Sequence, residues 1–449
     1  MIADENTAAI RRSYATRLGD ILLYGTFGLL MFGPLAFGAV EPWSIFVVQA
    51  GAAMLFLLWV AKHWLDGELN IKWNPLFLPM GAFGLLIVIQ MAFRTAAYQH
   101  ETVSAALTYG AYGILCFVSA QTLLRSSQAR KLGVILSIYG SVLAAFALVQ
   151  GISSNGRLYW LRQPRMGGWI YGPYVNHNHY AGLMELLIPI PLVLSLTQLA
   201  RSKERTAAAV AAAVMAGTIF LSGSRGGMLA LFAELVFLGV VLLKKRRELR
   251  MAVALGIFVL IVVGLLTWLG GDQLGRRLAT VGSAPTDLSG SMRGQINRDG
   301  LRMFLRKPAL GWGLGTFPVI YPQFRSFYTN FFVNEAHDDY LQLVVETGLV
   351  GFGTMIWFLV VVYRRAFRKI GNWPSDVSGA ATLACMLGLT GILVHSTVDF
   401  NLQIPANAAL FYVLCTVAAS DPLLQPVRKR RKTIAQPAAD ELLPASEVV

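Results

Sequence analysis

The chain has 449 residues, of which 55% are hydrophobic and only 14% charged. A soluble domain carries about 25% charged residues and could not hide this much apolar surface in one core, so a water-soluble fold is excluded and the bilayer must act as solvent. A net charge of +14 would suggest nucleic acid in a soluble protein. Here the basic residues stand in short clusters between apolar runs, the pattern of membrane topology, and no nucleic-acid partner is expected.

Residues 1–19 are polar and read as a cytoplasmic tail. No small-residue cleavage site closes the first apolar run, which is therefore expected to stay as a signal anchor. A crossing needs roughly 20 helical residues. Spans are expected near 20–40, 44–62, 75–93, 103–124, 131–151, 178–199, 206–221, 226–243, 251–270, 340–363, 378–398 and 403–419. The fold class is thus an all-α integral membrane protein of about twelve transmembrane helices. Nine occupy 20–270, a large loop runs over 271–339, and three occupy 340–420. A basic, Pro/Ala-rich tail over 421–449 reads as disordered. Cys116, Cys385 and Cys415 each fall inside an apolar run, with no CxxC or metal spacing, and read as packing residues.

Charge tests the topology. With the N-terminus inside and the spans alternating, every interior segment is positive, and together they hold 25 of the 38 Lys and Arg. Both termini are then cytoplasmic. The other 13 lie outside, and twelve of them are arginine, the residue suited to bidentate phosphate and carboxylate recognition. Long outside loops also translocate regardless of charge, so both readings of this set stand.

Four outside segments hold the polar residues. The first, RMGGWIYGPYVNHNHYAG, carries Arg165, Asn176, His177, Asn178 and His179 before the sixth span. It reads either as a polar site or as a helix start capped by Asn; the two histidines are wrongly spaced to share one helix face. The second, LSGSRGG at 221–227, is a Gly-rich turn opening a span, with Arg225 beside the free N–H groups; a snorkelling arginine is the plainer reading.

The third is the long loop. RGQINRDGLRMFLR over 293–306 has the pattern of an amphipathic helix, with Arg298, Arg302 and Arg306 on one face and Met303 and Phe304 placed to dip into the interface. GWGLGTF follows as a flexible turn. EAHDDYLQLVVETG then sets His337 at the start of the tenth span, with Glu346 more than two turns deeper. The fourth, HSTVDFNLQIPAN at 395–407, joins the last two spans and reads as a broken, cavity-lining segment with His395 and Asp399 on one helical face. Glu185 and Glu234, inside spans, each need a partner.

These motifs together resemble the O-antigen ligase and polymerase superfamily of bacterial membrane glycosyltransferases. The carriers are RMGGWIYGPYVNHNHYAG, LSGSRGG, RGQINRDGLRMFLRKPALGWGLGTF and AHDDYLQLVVETGLVG, in that order. The resemblance implies a glycosyltransferase-C-like helical fold in the bacterial inner membrane, its active site facing the periplasm. It implies transfer of a glycan from an undecaprenyl-pyrophosphate carrier to a lipid A core sugar, or to a second lipid-linked glycan, without metal or other cofactor. It further implies that His337 is the general base, and that Arg225 and Arg293 face the pyrophosphate, with Arg165 a looser match. Arg302, Asn176, Asn178 and Asp338 complete the expected substrate contacts. An unperturbed imidazole, titrating near 6.5, suits a base for a sugar hydroxyl, and arginines stabilise charge growing on a leaving pyrophosphate. Asp338 stands where the family often has Asn, and could orient His337 or join Asp339 around a cation.

A lipid-linked glycan transporter and a non-catalytic scaffold remain as competing readings. A transporter of this size should show two symmetric halves and a midplane site, and no such repeat is visible. Ligase and polymerase are not separated by the sequence.

Overall fold

A computed structural model describes residues 2–163, 169–243, 256, 290–329 and 332–424, with backbone alone at 2–15, 290 and 291. Fourteen α-helices form, and no strand is present among the described residues. They are α1 (Ile2–Leu35), α2 (Pro42–Asp66), α3 (Phe77–Ala92), α4 (Gln99–Thr122), α5 (Ser126–Ser153), α6 (His177–Leu187), α7 (Pro189–Leu196), α8 (Ser202–Ser222), α9 (Arg225–Leu243), α10 (Gly290–Arg306), α11 (Phe317–Ile320), α12 (Asp339–Lys369), α13 (Val377–His395) and α14 (Pro405–Ala419).

Nine helical runs among the described residues are long and apolar enough to cross a bilayer, α6 and α7 counting as one. The apolar helices α3 and α14 are shorter, at 16 and 15 residues. These runs coincide with eleven of the expected spans, and the chain is a multi-pass helical membrane protein. The expected span at 251–270 and the basic cluster Lys244–Arg250 lie outside the described residues, as do 271–289 of the loop and the tail from 425. The polar N-terminus is helical from Ile2, and residues 421–424 are docked, with the Leu424 N–H donating to the Leu124 carbonyl at 2.8 Å.

The centre of the bundle is the α6–α7 run, with α13 and α14 against it. The window of the α6–α7 run is 83% buried, against 28% for α2. Small residues make this possible: a Cβ on Gly388 of α13 would stand 3.0 Å from the Glu185 carbonyl of α6, so only glycine lets the two backbones approach. The outer helices turn Phe46, Leu57, Phe232 and Trp357 outward, as lipid-facing helices should.

The described part of the loop before α12 is interlocked by its packing and hydrogen bonds. The 3.6-residue period puts Ile296, Asp299, Gly300 and Met303 on one face of α10, and that face packs on α12. Met303, expected to dip into the interface, is fully buried with Ile296, Phe317, Tyr321 and Val345, whereas Leu301 and Leu305 point outward. GWGLGTF is fixed as well. Gly311, Gly313 and Gly315 have φ of 71°, 112° and 77°, which suits glycine. Trp312 N–H donates to Val345 O, and the Glu346 carboxylate accepts the N–H groups of Gly315 (2.8 Å) and Phe317 (3.1 Å). Gln90 of α3 donates to Leu310 O and accepts Leu314 N–H. At this crossing α12 breaks at Gly348 (φ 65°, ψ −169°).

Candidate active site

The starts of α6, α9, α12 and α14 and the end of α13 meet at one end of the bundle. What joins them is the irregular stretch 396–404 between α13 and α14. The expectation that His395 and Asp399 share a helical face fails, because α13 stops at His395 and the chain turns away. Each then finds a different partner.

Asp338 caps α12, its Oδ1 accepting the N–H groups of Tyr340 and Leu341, both at 3.0 Å. The cap leaves His337 just outside the helix at φ 56°, a left-handed conformation that a non-glycine residue keeps only where its surroundings hold it. Its neighbours are tied down. Gln342 accepts the Ala336 N–H at 2.9 Å and donates to Glu335. Burial pushes the Glu335 carboxyl up to about 8, against the Gln342 hydrogen bond that pulls it down. Asp339 Oδ2 accepts Ser396 Oγ–H (2.8 Å) and Leu402 N–H (3.0 Å), and its Oδ1 accepts Gln403 (3.2 Å). Asp338 and Asp339 therefore serve different partners, and no group of three acidic, His or Cys side chains among the described residues is arranged to hold a metal.

The imidazole of His337 meets Asp399. Nδ1 lies 3.3 Å from Asp399 Oδ1; in the tautomer that donates to this carboxylate, Nε2 carries the lone pair. Asp399 is 1% exposed. Burial pushes its carboxyl up, but the hydrogen bond from His337 and the positive potential of His179, His337 and Arg293 outweigh it and hold it well below the usual carboxylate range. The Phe400 ring stands edge-on to both His337 (4.8 Å) and His179 (4.7 Å). An imidazole so placed can serve as a general base with a buried, charged orienting partner.

Arg293, in the first turn of α10, donates from Nη1 to the Val398 carbonyl at 2.8 Å, the residue before Asp399. Arg225 is exposed and opens α9. The next residue, Gly226, lies against the His395 ring and the Val398 side chain. The structure thus brings His337, Arg293 and Arg225 around 395–399, although they are far apart in the chain.

The other expected contacts divide. Asn176 is the N-cap of α6, its Oδ1 accepting the Asn178 N–H at 2.9 Å, whereas Asn178 is buried within the first turn of that helix. Arg302 lies on the exposed side of α10, paired to Asp299 at 3.1 Å. Arg165 lies outside the described residues. Within the bundle, His395 Nδ1 donates to Glu185 Oε1 at 2.7 Å. Glu234 is buried with no hydrogen bond to either carboxylate oxygen among the described residues.

Residues 210–356 match the model of a family described as O-antigen ligase. Over this stretch the chain is similar to the O-antigen ligase family. No curated protein matches it. The matched stretch carries Arg225, Arg293 and His337 but ends before Asp399, so the partner of His337 lies beyond it. Sequence reasoning missed that pairing, along with Phe400 and the buried Asp299, which accepts from Ser326 and Arg302. A signal existed for Asp399 alone, a carboxylate in a broken segment at membrane depth, but its partner is 62 residues away.

Proposed function

We propose that this protein is a membrane glycosyltransferase that moves a glycan from undecaprenyl pyrophosphate to an acceptor hydroxyl, a sugar of the lipid A core, at the periplasmic face of the bacterial inner membrane. The observation that carries the reading is the His337–Asp399 pair, with Arg293 on the adjoining carbonyl and Arg225 opening the helix packed beside it. The reading places both termini in the cytoplasm. Residues 1–19 are then the cytoplasmic lead into the first span, 20–270 and 340–420 the spanning units, 271–339 the periplasmic loop, and 421–449 the cytoplasmic tail.

His337 Nε2 takes the proton of the acceptor hydroxyl. The oxygen attacks the anomeric carbon, and the bond to the pyrophosphate oxygen breaks with its electron pair leaving on the pyrophosphate. Direct displacement inverts the anomeric centre. Negative charge grows on the leaving group, where Arg225 and Arg293 stabilise it; the imidazolium formed on His337 is stabilised by Asp399.

The test compares wild type with Arg225→Ala and His337→Ala in a strain lacking the gene. Both variants should insert normally and lose glycan transfer, while wild type restores long chains on lipid A. Transfer at wild-type rate in both variants refutes the site. Deletion that halts chains at one repeat unit, instead of leaving carrier-linked polymer, replaces ligase by polymerase. Movement of lipid-linked glycan across liposomes without transfer replaces both by a transporter.

A further inference from the structure

His395 and Glu185 are both almost fully buried, and neither takes part in the chemistry above. An ionisable pair inside a membrane bundle is costly to keep and calls for a role. Their packing supplies one. Nδ1 of His395 is held by Glu185 of α6 at 2.7 Å. The opposite edge of the same ring lies on Gly226, where a Cβ would stand 2.5 Å from Nε2 and 3.0 Å from Val398 Cγ2. Gly226 directly follows Arg225. One turn below, the contact is reversed: a Cβ on Gly391 of α13 would collide with the Glu234 carboxylate of α9. Two glycines thus seat α9 on α13, Gly226 at its first turn and Gly391 against Glu234 deeper in the helix, and the imidazole that receives the first turn is braced from α6. His395 is also the last residue of α13, and its carbonyl accepts the Asp399 N–H at 3.1 Å.

We infer that His395, braced by Glu185, is a positioning residue that sets the first turn of α9, and hence Arg225, in register with the His337–Asp399 dyad. Its use in catalysis rests on the glycosyl-transfer reading; the brace itself does not. A misplacement of about 1 Å costs up to about 10²-fold in rate, so a rigid spacer between the two halves of the site has a purpose.

The experiment uses the full-length protein in membranes with His395→Ala and the conservative His395→Gln, which keeps a donor for Glu185. Hydrogen exchange is followed at the Gly227 and Met228 amides, which Ser224 holds at 3.1 and 3.0 Å, with glycan transfer measured in parallel. In His395→Ala, exchange at these amides should rise at least about tenfold, and kcat should fall about 10²-fold. His395→Gln should recover most of both, and Glu185→Leu should resemble His395→Ala more closely than Glu185→Gln does. Unchanged exchange at 227 and 228 in His395→Ala overturns the brace. Raised exchange with wild-type transfer overturns its catalytic use. Raised exchange in a protein whose wild type transfers no glycan retains the brace and removes the glycosyl-transfer reading instead.

Discussion

Replacing Asp399 by Asn isolates what its charge contributes. The amide oxygen can still accept the His337 Nδ1–H, so the 3.3 Å contact and the Phe400 N–H bond to Oδ1 at 2.9 Å can both persist. What is lost, on the proposed mechanism, is stabilisation of the imidazolium formed when His337 takes the acceptor proton. A hydrogen bond to a charged group is worth about 1.5–3 kcal/mol and a neutral one about 0.5–1.5. The difference, about 1–2 kcal/mol, corresponds to a rate loss of about 5–30-fold. Asp399→Ala also removes the Phe400 N–H acceptor and frees the ring orientation, so its loss should exceed about 10²-fold. The assay is initial-rate glycan transfer in vesicles from about pH 5 to about pH 9, which brackets histidine titration. Because the Asp399 carboxyl is held well below the usual range, it stays ionised across that window. The contribution of its ionisation to stability is present above the ordinary carboxylate pKa and is lost only as pH falls towards the depressed folded value. Any pH limb should therefore belong to another group. Wild-type rates in Asp399→Asn at every pH would refute the dyad.

Gly348→Ala should destabilise the protein by about 3 kcal/mol or more, since φ 65°, ψ −169° is accessible essentially to glycine alone and the new methyl would collide with the Ala309 carbonyl; the melting temperature and membrane yield should both fall. Glu335 gives a pH dependence of definite sign. Its carboxyl is raised to about 8 in the folded protein from 4.5, so its favourable contribution is complete below 4.5 and is lost as pH rises through about 8. Melting temperature should decline over that range, and Glu335→Gln should flatten the decline.

The helices were legible in the sequence because apolar length is a one-dimensional property. Eleven expected spans meet helices, and the arginines in tight turns stood out because topology did not account for them. What was hidden depends on who packs against whom. Period alone placed Met303 on the same face as Ile296 but could not say whether lipid or α12 covers it. GWGLGTF looks flexible because it is rich in glycine; its φ values show glycines chosen for a rigid crossing beneath Glu346 and Gln90. His395 and Asp399, four apart, suggested one face only on the assumption that the helix continues.

That assumption also explains why the site forms where it does. Irregular backbone inside an apolar bundle is tolerated only when its polar groups are satisfied by protein. In 395–404 those groups are met by the candidate site and its supports: Val398 O by Arg293, Phe400 N–H by Asp399, Leu402 N–H by Asp339, and Ser396 O by the Asp339 N–H. Breaking the helix creates unmet donors and acceptors, and meeting them draws α10, α12 and α13 to one point. The arginine and carboxylates that satisfy the break thereby become the fixed frame around His337, so the contacts that stabilise this segment are also the ones that hold His337 in place.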